Sequence, residues 1–538
     1  MRTLILAAGK IDYTRLPFGM HQSNATIPVN GKPVISWILD DLIQKGFNTI
    51  EIVLREENHR LKQLLEKHYS NRIDLKIISL QNPISIIESL KGAMDATSVS
   101  SEPIQVILGD TLIYNEYGKT LDMMYVAEVT NTSNWCIAQT SESGELISLI
   151  DKQHLDEVGH QALCGYYCFS NATTLSQSID KALNEGAKEL SSVLMHYHNA
   201  NPLILANAKD WFDFGHLESF IQSKKTLLRP RYFNSLVIDP LLNTITKHSL
   251  KDDKLLDELN WFKLLPDSLK VLTPRLYTDD NNESDRIIIT QEFYGYPTLS
   301  ELFVYGDLSE TVWESIIDYL FQIHTLFLSY KTHFSASNCH EIYVAKTFSR
   351  IDTMLEQNSF WNDLWQKENV MINGKAYPSL RLTIERLRDS LSQLCHEGEY
   401  TIIHGDFCLS NILYDLNNQI VRLIDPRGSF GEKGIYGDPR YDIAKLRHSI
   451  TGCYDYIVSD LFNVSYEDET FTYSIFQDAK DASLQNYLDK IIAQKGYRVY
   501  DIKLIEGLLF LSMIPYHADH FYRQQMMYIR ATEILSEL

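Results

Sequence analysis

The stretch Thr401–Gly428 has the sequence TIIHGDFCLSNILYDLNNQIVRLIDPRG, and the half of the chain around it is most easily placed from here. The apolar runs 400–403 and 420–424 predict two short buried strands. The HGD tripeptide at 404–406 predicts a turn after the first strand, because Gly and Asp favour turn conformations. We therefore expect a hairpin-like unit whose polar side chains gather at one end.

Three of these polar side chains have a spacing that carries chemical information. Asp406 is followed five residues later by Asn411, and Asp425 ends the second predicted strand. In phosphoryl transfer such an Asp accepts a hydroxyl proton, while the Asn and the second Asp hold the metal. We predict these catalytic roles for Asp406, Asn411 and Asp425. The alternative is that HGD and IDP are ordinary turns, since their residues favour turns for local reasons.

The same residues carry a family resemblance. The pattern HGDxxxxN, then a strand and an Asp, is met within 404–425, and Gly437–Ala444 has the sequence GDPRYDIA. This half of the chain resembles the aminoglycoside phosphotransferase and choline kinase family, a branch of the protein-kinase-like fold. The resemblance implies a catalytic base, two magnesium ligands and ATP as a substrate. It implies a structural role for Asp438 and Asp442, which would tie the loop to the helix behind it.

Length, charge and composition limit the classes of protein. A chain of 538 residues is long enough for about three folding units. The formal net charge of −21, with no basic block, argues against nucleic acid and anionic membranes as partners. The sequence contains no run of eighteen apolar residues, so no segment is predicted to insert into a membrane. With no cleavable signal and seven cysteines outside any CxxC pair, we expect a cytoplasmic protein with reduced thiols.

Residues 2–108 alternate predicted strands and helices. The expected strands are 2–6, 49–54, 75–80 and 105–108, and the expected helices are 33–45, 59–68 and 85–96. This alternation predicts an α/β fold with a doubly wound, Rossmann-like parallel sheet, whose ligands bind at the carboxyl ends of the strands. Gly9 and Asp110 each follow such an end. A small-residue loop lets backbone N–H groups approach phosphates, and an Asp beside it can hold magnesium.

Five short segments in this half agree with one family pattern in order. They are LAAGK at 6–10, VNGKP at 29–33, GDT at 109–111, GYYCF at 165–169 and WFDFGH at 211–216. Together they resemble the sugar-phosphate nucleotidyltransferase family over roughly residues 1–225. In that family the phosphate of the substrate attacks the α-phosphate of a nucleoside triphosphate, and pyrophosphate leaves.

The resemblance implies roles for individual residues. Asp110 and Asp213 would be the two metal ligands. The triphosphate would lie against Arg15, as a catalytic residue, and against the backbone of Ala8 and Gly9. Lys152 would contact the phosphorylated substrate.

Two departures from the family pattern affect this interpretation. The first loop is two residues longer, and Asn24 stands where the family has a phosphate-contacting Lys. Lys10 or His21 could take its place, or the domain could bind without reacting. A Ser at the start of this helix, here Ser85, resembles the arrangement in cytidylyltransferases and favours CTP as the nucleotide. Ser is also an ordinary helix cap.

The boundary between the halves is placed in the basic segment IQSKKTLLRPR at 221–231. We expect a nucleotidyltransferase-like domain at 1–225, and a two-lobed kinase-like domain with a small lobe at 226–303 and a helical large lobe at 304–538. Lys247 on a predicted strand and Glu258 on a predicted helix would pair to align the ATP phosphates, unless they are ordinary surface charges.

Three further features of the kinase-like half are less decisive. No glycine-rich loop is evident, and the strand 287–291 leading into 292–296 resembles a hinge that contacts adenine. His324 is expected to pack within a helix. His517 and His520 are spaced as helical metal ligands can be, but packing or acceptor contact is the better interpretation because no third ligand follows.

The leading hypothesis is a bifunctional enzyme. The kinase half would phosphorylate a small alcohol, amino alcohol or sugar with ATP and Mg²⁺. The other half would couple that phosphate to a nucleotide, with CTP favoured, giving a donor for surface polysaccharide synthesis. The alternative is a kinase with a non-catalytic, nucleotide- or sugar-phosphate-binding N-terminal domain. A structural protein without activity agrees poorly with the acids and amides that are present.

Overall fold

The described residues of the chain cluster into two units. In the computed structural model the described ranges are 1–10, 23–96, 102–155, 159–227, 235–239, 241–250, 253–277, 286–395, 398–477 and 479–538. One unit comprises 1–228 with 305–307, and the other comprises 229–304 with 308–538. No described helix is long and apolar enough to cross a membrane.

The N-terminal unit contains strands and helices in alternation at first and mostly strands later. Its strands are β1 (Arg2–Leu6), β2 (Pro28–Val29), β3 (Lys32–Pro33), β4 (Thr49–Arg55), β5 (Asp74–Leu80), β6 (Ile104–Leu108), β7 (Thr111–Ile113), β8 (Met123–Val129), β9 (Cys136–Thr140), β10 (Leu146–Asp151), β11 (His160–Phe169), β12 (Ile204–Asn207) and β13 (Trp211–Asp213). Its helices are α1 (Val34–Gln44), α2 (His59–Tyr69), α3 (Ile86–Asp95), α4 (Ala172–Asn184), α5 (Leu190–Ala200) and α6 (Leu217–Thr226).

One sheet organises this unit. Within the described ranges it has nine strands, and its path runs β10-β9-β11-β6-β1-β4-β5; β8 pairs with β11, and β12 pairs with β8. The strands β6, β1, β4 and β5 are parallel, which confirms the Rossmann-like prediction for residues 2–108. β11 then joins β6 in antiparallel register and extends the sheet beyond that parallel part.

Close packing fixes the ends of the central strands. β1 is apolar after Arg2 and Thr3, and β6 is apolar apart from Gln105. Leu4 and Val106 lie in a core that α3 and α4 cover. At the end of β6, a Cβ on Gly109 would lie 3.0 Å from the Cα of Ala7. The glycine therefore allows the loops after β1 and β6 to approach each other, which brings Asp110 beside Ala7–Gly9.

The C-terminal unit begins with strands and is mainly helical afterwards. Its strands are β14 (Ser235–Asp239), β15 (Thr244–Leu250), β16 (Arg286–Glu292), β17 (Lys331–Phe334), β18 (Asn369–Ile372), β19 (Lys375–Pro378), β20 (Gly398–Ile402), β21 (Ile412–Asp415), β22 (Ile420–Leu423), β23 (Ser429–Phe430), β24 (Glu432–Lys433), β25 (Tyr436–Gly437), β26 (Phe462–Glu467) and β27 (Thr470–Ile475). Its helices are α7 (Asp253–Leu264), α8 (Leu299–Tyr305), α9 (Glu310–Phe327), α10 (Ala336–His340), α11 (Lys346–Gln357), α12 (Ser359–Gln366), α13 (Leu380–Arg386), α14 (Arg388–Leu394), α15 (Pro439–Ile450), α16 (Tyr454–Val458), α17 (Ala479–Gln494), α18 (Val499–Met513) and α19 (Phe521–Ser536).

The two strands predicted within Thr401–Gly428 are present, but they do not pair with each other. β22 pairs with β21, a strand that the apolar pattern did not indicate, and β20 pairs with β17 and β25. The β21–β22 turn is stabilised by Asp415, whose Oδ1 accepts hydrogen bonds from the N–H groups of Asn417 and Asn418. This side-chain-capped turn closes a tight hairpin directly after Asn411.

Ion pairs of one buried arginine join three helices of the C-terminal unit. Arg447 on α15 lies between Glu506 on α18 and Asp489 on α17. The Glu506 side chain is fully buried, and its Oε2 accepts a hydrogen bond from Arg447 Nη1. Burial raises the pKa of Glu506, although the adjacent guanidinium opposes this shift.

We expect Arg447→Met to destabilise the C-terminal unit by about 3–5 kcal/mol, because it leaves the Glu506 carboxyl buried without its partner. Calorimetric melting of the full chain checks this. The matched control is Arg498→Met, which removes an exposed ion pair to Asp501 and should cost under about 1 kcal/mol. Equal, small effects of the two variants would contradict the role given to the buried pair.

Candidate active sites

The first site lies at the carboxyl ends of β1 and β6 in the N-terminal unit. β7 and β13 pair in antiparallel register, so that Thr111 lies opposite Asp213 and brings Asp110 beside it. A Cβ on Gly215 would lie 3.4 Å from Asp110 Oδ2 and 3.5 Å from Asp213 Oδ1. The glycine therefore leaves space next to both carboxylates.

The two carboxylates of this site repel each other. Burial, and secondly the charge of Asp213, raise the pKa of Asp110, while a hydrogen bond from Asn24 opposes the shift. Asn24 Nδ2 donates to Asp110 Oδ2 at 2.8 Å, and His216 Nδ1 lies 3.0 Å from Asp213 Oδ2. A divalent cation would relieve this repulsion, because it favours the charged form of both acids.

The donor set fits magnesium held jointly with a substrate. No group of three or more His, Cys, Asp or Glu side chains in the described ranges is arranged to hold a metal alone. Mg²⁺ commonly takes one or two carboxylates and completes its shell with phosphate oxygens and water. Asp110 and Asp213 supply that number of carboxylates.

Two neighbouring cavities adjoin these acids. One, of about 380 Å³, is lined by Asp110, Asp213 and Lys152. The other, of about 320 Å³, is lined by Ala8, Gly9 and Asp110 among others. The structure thus brings together all predicted residues of this half except Arg15, which lies outside the described residues together with His21.

The basic side chains near this site already have acidic partners. Lys152 Nζ lies 2.8 Å from Glu189 Oε1, and Lys10 Nζ lies 3.1 Å from Glu57 Oε1. Lys10 lines both cavities, and its role as a replacement for the family Lys stays a prediction.

Two polar residues around the smaller cavity have structural roles. Arg55 at the end of β4 donates to the carbonyls of Ala8 and Pro83 and so fixes two lining loops. Arg55 was not among the residues predicted from sequence. The signal that could have indicated it was its position at the end of a predicted strand. Ser85 Oγ accepts from the N–H of Glu88 at 3.1 Å, which is an N-cap of α3.

The second site lies in the C-terminal unit, around the loop after β20. The buried carboxylate of Asp442 accepts hydrogen bonds from the N–H groups of His404 at 2.7 Å and Gly405 at 2.8 Å. The N–H of Arg427 bonds to the carbonyl of His404, and that of Ile424 to the carbonyl of Asn411. These bonds hold the two loops of the site side by side.

The structure brings Asp406 and Asn411 into contact. Asn411 Nδ2 donates to Asp406 Oδ2 at 3.1 Å, so its own Oδ1 remains as an acceptor for a cation. Lys445 Nζ lies 2.8 Å from Asp406 Oδ1. Burial alone would raise the pKa of Asp406, but Lys445, together with His404 and Arg427, outweighs it and the pKa is lowered. Sequence reasoning missed Lys445, whose only signal is its place one turn after Asp442 on α15.

Lys247 lies between two carboxylates of the same unit. Its Nζ is 2.6 Å from Glu258 Oε1 and also contacts Asp425 Oδ1. Burial alone would lower the pKa of Lys247, but the Asp425 and Glu258 charges outweigh it and raise the pKa. A strand, a helix and the loop after β22 therefore meet at one ammonium group.

The hinge segment and the histidines predicted from sequence lie as follows. The backbone N–H of Phe293 bonds to the carbonyl of Asn243, whose side-chain amide donates to the carbonyl of Phe293.

His324 is buried, and burial lowers its pKa to about 4, as expected for a packed residue. His520 caps α19 and lies 3.5 Å from Asp460, which gives it a structural contact.

Two family models match the chain in succession. Residues 2–229 match the model described as Nucleotidyl transferase, and residues 236–452 match the one described as Phosphotransferase enzyme family. The chain is therefore a nucleotidyltransferase-like domain fused to a domain like those of the aminoglycoside phosphotransferases. Both families imply enzyme activity, and both generally use nucleoside triphosphates and Mg²⁺.

Individual relatives match part of the chain. It is 24% identical over 238 residues to a glucose-1-phosphate thymidylyltransferase of Mycolicibacterium smegmatis, covering 41% of this chain and 81% of that protein. It is 21% identical over 209 residues to the UTP–glucose-1-phosphate uridylyltransferase AglF of Haloferax volcanii, covering 36% and 82%. A crystal structure of UDP-glucose pyrophosphorylase complexed with UDP-glucose matches 42% of this chain and 97% of its own, with 15% identity and a TM-score of 0.36.

The Asp442 contacts generate a prediction about the loop that carries Asp406. In Asp442→Asn the NH₂ group cannot accept, so at least one of the two backbone N–H groups loses its partner, at a cost of about 1–3 kcal/mol. Hydrogen exchange measured by mass spectrometry should become faster in the peptide covering 404–411. Asp468→Asn, in an exposed turn, is the control. Unchanged exchange at 404–411 would contradict the anchoring role of Asp442.

Proposed function

We propose that the chain is a bifunctional kinase and nucleotidyltransferase. The observation that carries this proposal is that each unit holds its own set of acids next to a cavity. These acids are Asp110 with Asp213 in one unit, and Asp406 with Asp425 in the other, where Asn411 donates a hydrogen bond to Asp406. In this proposal residues 1–225 form the nucleotidyltransferase, and 226–303 and 304–538 form the two lobes of the kinase.

In the kinase step, Asp406 would accept the proton of a substrate hydroxyl. The oxygen forms a bond to the γ-phosphorus of ATP, the bond to the β-phosphate oxygen breaks, and ADP leaves. Lys247, positioned by Glu258, would orient the ATP phosphates. Magnesium held by Asn411 and Asp425 would neutralise charge on the phosphates. The lowered pKa of Asp406 keeps it ionised and able to accept a hydrogen bond from the hydroxyl.

In the nucleotidyl step, a phosphate oxygen of the substrate would attack the α-phosphorus of a nucleoside triphosphate, and pyrophosphate would leave. The backbone N–H groups of Ala8 and Gly9, with Arg15, would bind the triphosphate. Asp110 and Asp213 would hold magnesium. Lys152 would leave its ion pair with Glu189 and contact the substrate phosphate instead.

The product would be a nucleotide-activated compound. The relatives are named for transfer of thymidylyl and uridylyl groups to glucose 1-phosphate, which supports sugar-nucleotide synthesis and a pyrimidine base. CTP is the first nucleotide to test, although the capping bond of Ser85 accounts for that residue without a nucleotide. We propose a cytoplasmic role in making a donor for surface polysaccharides.

A second candidate function is favoured by Asn24. Its amide donates to Asp110, a proposed metal ligand, and supplies no positive charge to the triphosphate. If Lys10 and Arg15 do not replace the missing charge, the N-terminal domain would bind nucleotide or sugar phosphate without reacting. The protein would then act as a small-molecule kinase.

Two variants separate these functions. With hydroxyl acceptors, ATP and Mg²⁺, we expect Asp406→Asn to lower ADP formation by about 10²–10⁴-fold, as loss of a general base does. With phosphorylated acceptors and each of the four nucleoside triphosphates, Asp110→Asn should lower pyrophosphate release by a similar factor. Each variant should retain the other activity, which makes each the control for the other.

The amounts of ADP and pyrophosphate formed distinguish the two candidate functions. ADP formation that depends on Asp406, with no pyrophosphate from any nucleoside triphosphate, would favour the kinase with a binding domain. The absence of both products across the acceptor panel would contradict enzymatic activity of either kind with these substrates.

A further inference from the structure

A cavity of about 590 Å³ in the C-terminal unit adjoins the proposed catalytic base. Its lining includes Asp406 and Asp425 at one end, Lys346 and Arg350 of α11, and apolar residues of α18. The cavity is large enough for a small molecule next to Asp406. It is therefore where the hydroxyl acceptor of the proposed kinase reaction would bind.

The acids that line this cavity already have lysine partners. Glu258 and Asp425 contact Lys247, and Asp406 contacts Lys445. The remaining lining acid, Asp257, lies 3.3 Å from Lys433 Nζ. Among the described residues that line the cavity, every carboxylate therefore has a cationic neighbour.

Three lining cations lack such a counter-charge. In the part of the chain that the structure describes, Lys346, Arg350 and Arg427 have no ion pair to a carboxylate. Arg350 donates to the carbonyl of Ser512 and to the Tyr516 hydroxyl, and Arg427 donates to the Tyr441 hydroxyl at 2.7 Å. These neutral contacts hold the two guanidinium groups in place without a direct ion pair, although the charge of Asp406 acts on Arg427 from further away.

The third cation, Lys346, makes no hydrogen bond through its amine among the described residues, although it is half-buried. It is the first residue of α11, directly after a π-helical turn at 341–345. Such turns are rare and occur often at functional sites. A half-buried ammonium beside two guanidinium groups is costly unless an anion joins them.

Arg427 places the cation cluster, Lys346, Arg350 and Arg427, close to the proposed catalytic base. A Cβ on Gly405 would lie 2.7 Å from Arg427 Cβ, so the arginine stem packs against the backbone next to Asp406. Arg427 is thus a direct neighbour of the proposed base. An anionic group bound there would belong to the same small molecule as the hydroxyl.

We propose that the acceptor of the kinase reaction is an anion, a hydroxyl compound whose carboxylate or phosphate lies against Lys346, Arg350 and Arg427. This inference rests on the kinase function proposed above. It narrows the acceptor from alcohols, amino alcohols and sugars to acidic ones. A cationic amino alcohol would meet repulsion from the two guanidinium groups.

The electrostatics of Lys346 support this assignment and add a measurable property. Burial, and then the charges of Arg427, Arg350 and Lys445, lower the pKa of Lys346 to about 6, while Asp406 opposes the shift. The charged residues of α7 that line the same cavity are Lys254, Asp257 and Glu258. The tyrosines that line the cavity are Tyr343, Tyr441 and Tyr516. A bound anion raises the pKa of Lys346, so near pH 7.5 binding should take up a proton.

The test uses the full chain with ATP, Mg²⁺ and acceptors matched in size. One set is glycerate, glycerol 3-phosphate, glycerol and serinol, and the other is hexuronates, hexose phosphates, hexoses and hexosamines. We expect ADP formation with an anionic member to exceed that with its neutral and cationic counterparts at least tenfold in kcat/KM. The carboxylate and phosphate members identify which anion is used. Preference for a neutral or cationic member would overturn the inference.

Variants assign the effect to the cation cluster. Lys346→Gln should raise KM for the anionic acceptor at least tenfold and leave KM for ATP unchanged, and Lys346→Arg should restore most of the affinity. Lys375→Gln, on an exposed strand, is the control. A rise in KM for ATP instead would place the cluster at the nucleotide and overturn the inference.

Calorimetry of acceptor binding in two buffers of different ionisation heat gives an independent readout. Proton uptake should be present in the parent chain and absent in Lys346→Gln. No uptake in the parent chain would overturn the role of Lys346. ADP formation with no acceptor at all would instead overturn the kinase function, which keeps the two failures distinct.

Discussion

One buried carboxylate determines where the proposed catalytic base of the C-terminal unit stands. Asp442 accepts hydrogen bonds from two successive backbone N–H groups, and these belong to the loop that carries Asp406. Trp261 on α7 donates to the carbonyl of Ile403, just before the same loop. Since α7 also carries Glu258, the loop, the helix and the Lys247 ammonium are positioned together. The position of Asp406 thus depends on hydrogen bonds made by the backbone of its loop to Asp442 and Trp261.

The two units meet the repulsion between neighbouring acids in different ways. In the N-terminal unit, Asp110 and Asp213 contact an amide and an imidazole, so their mutual repulsion remains for a cation and a nucleotide to relieve. In the C-terminal unit, Asp406 and Asp425 each contact a lysine. This difference fits a site assembled together with its substrate in one unit and a site largely assembled in advance in the other.

Local patterns predicted most of the fold and the acids, while contacts between distant elements escaped prediction. The 3.6-residue and apolar-run periodicities located the parallel strands of residues 2–108, because most residues of β1, β4 and β6 are buried and apolar, although most of β5 is not buried. The strand 412–415 was missed because its apolar run, 412–414, is only three residues long, and its turn is stabilised by the side chain of Asp415. Lys445 and Lys346 were missed because they stand on helices that reach the site only through tertiary packing. No local spacing marks such residues.

The central claim is that the two units act in sequence on the same phosphate, and isotope transfer tests it most directly. The full chain would be incubated with ATP labelled at the γ-phosphate, unlabelled CTP or another nucleoside triphosphate, Mg²⁺ and an acidic hydroxyl acceptor. The account predicts label first in the phosphorylated acceptor and then in the nucleotide conjugate, with one unlabelled pyrophosphate per conjugate formed. Label that accumulates in the phosphorylated acceptor and never enters a nucleotide conjugate, with any of the four triphosphates, would contradict it.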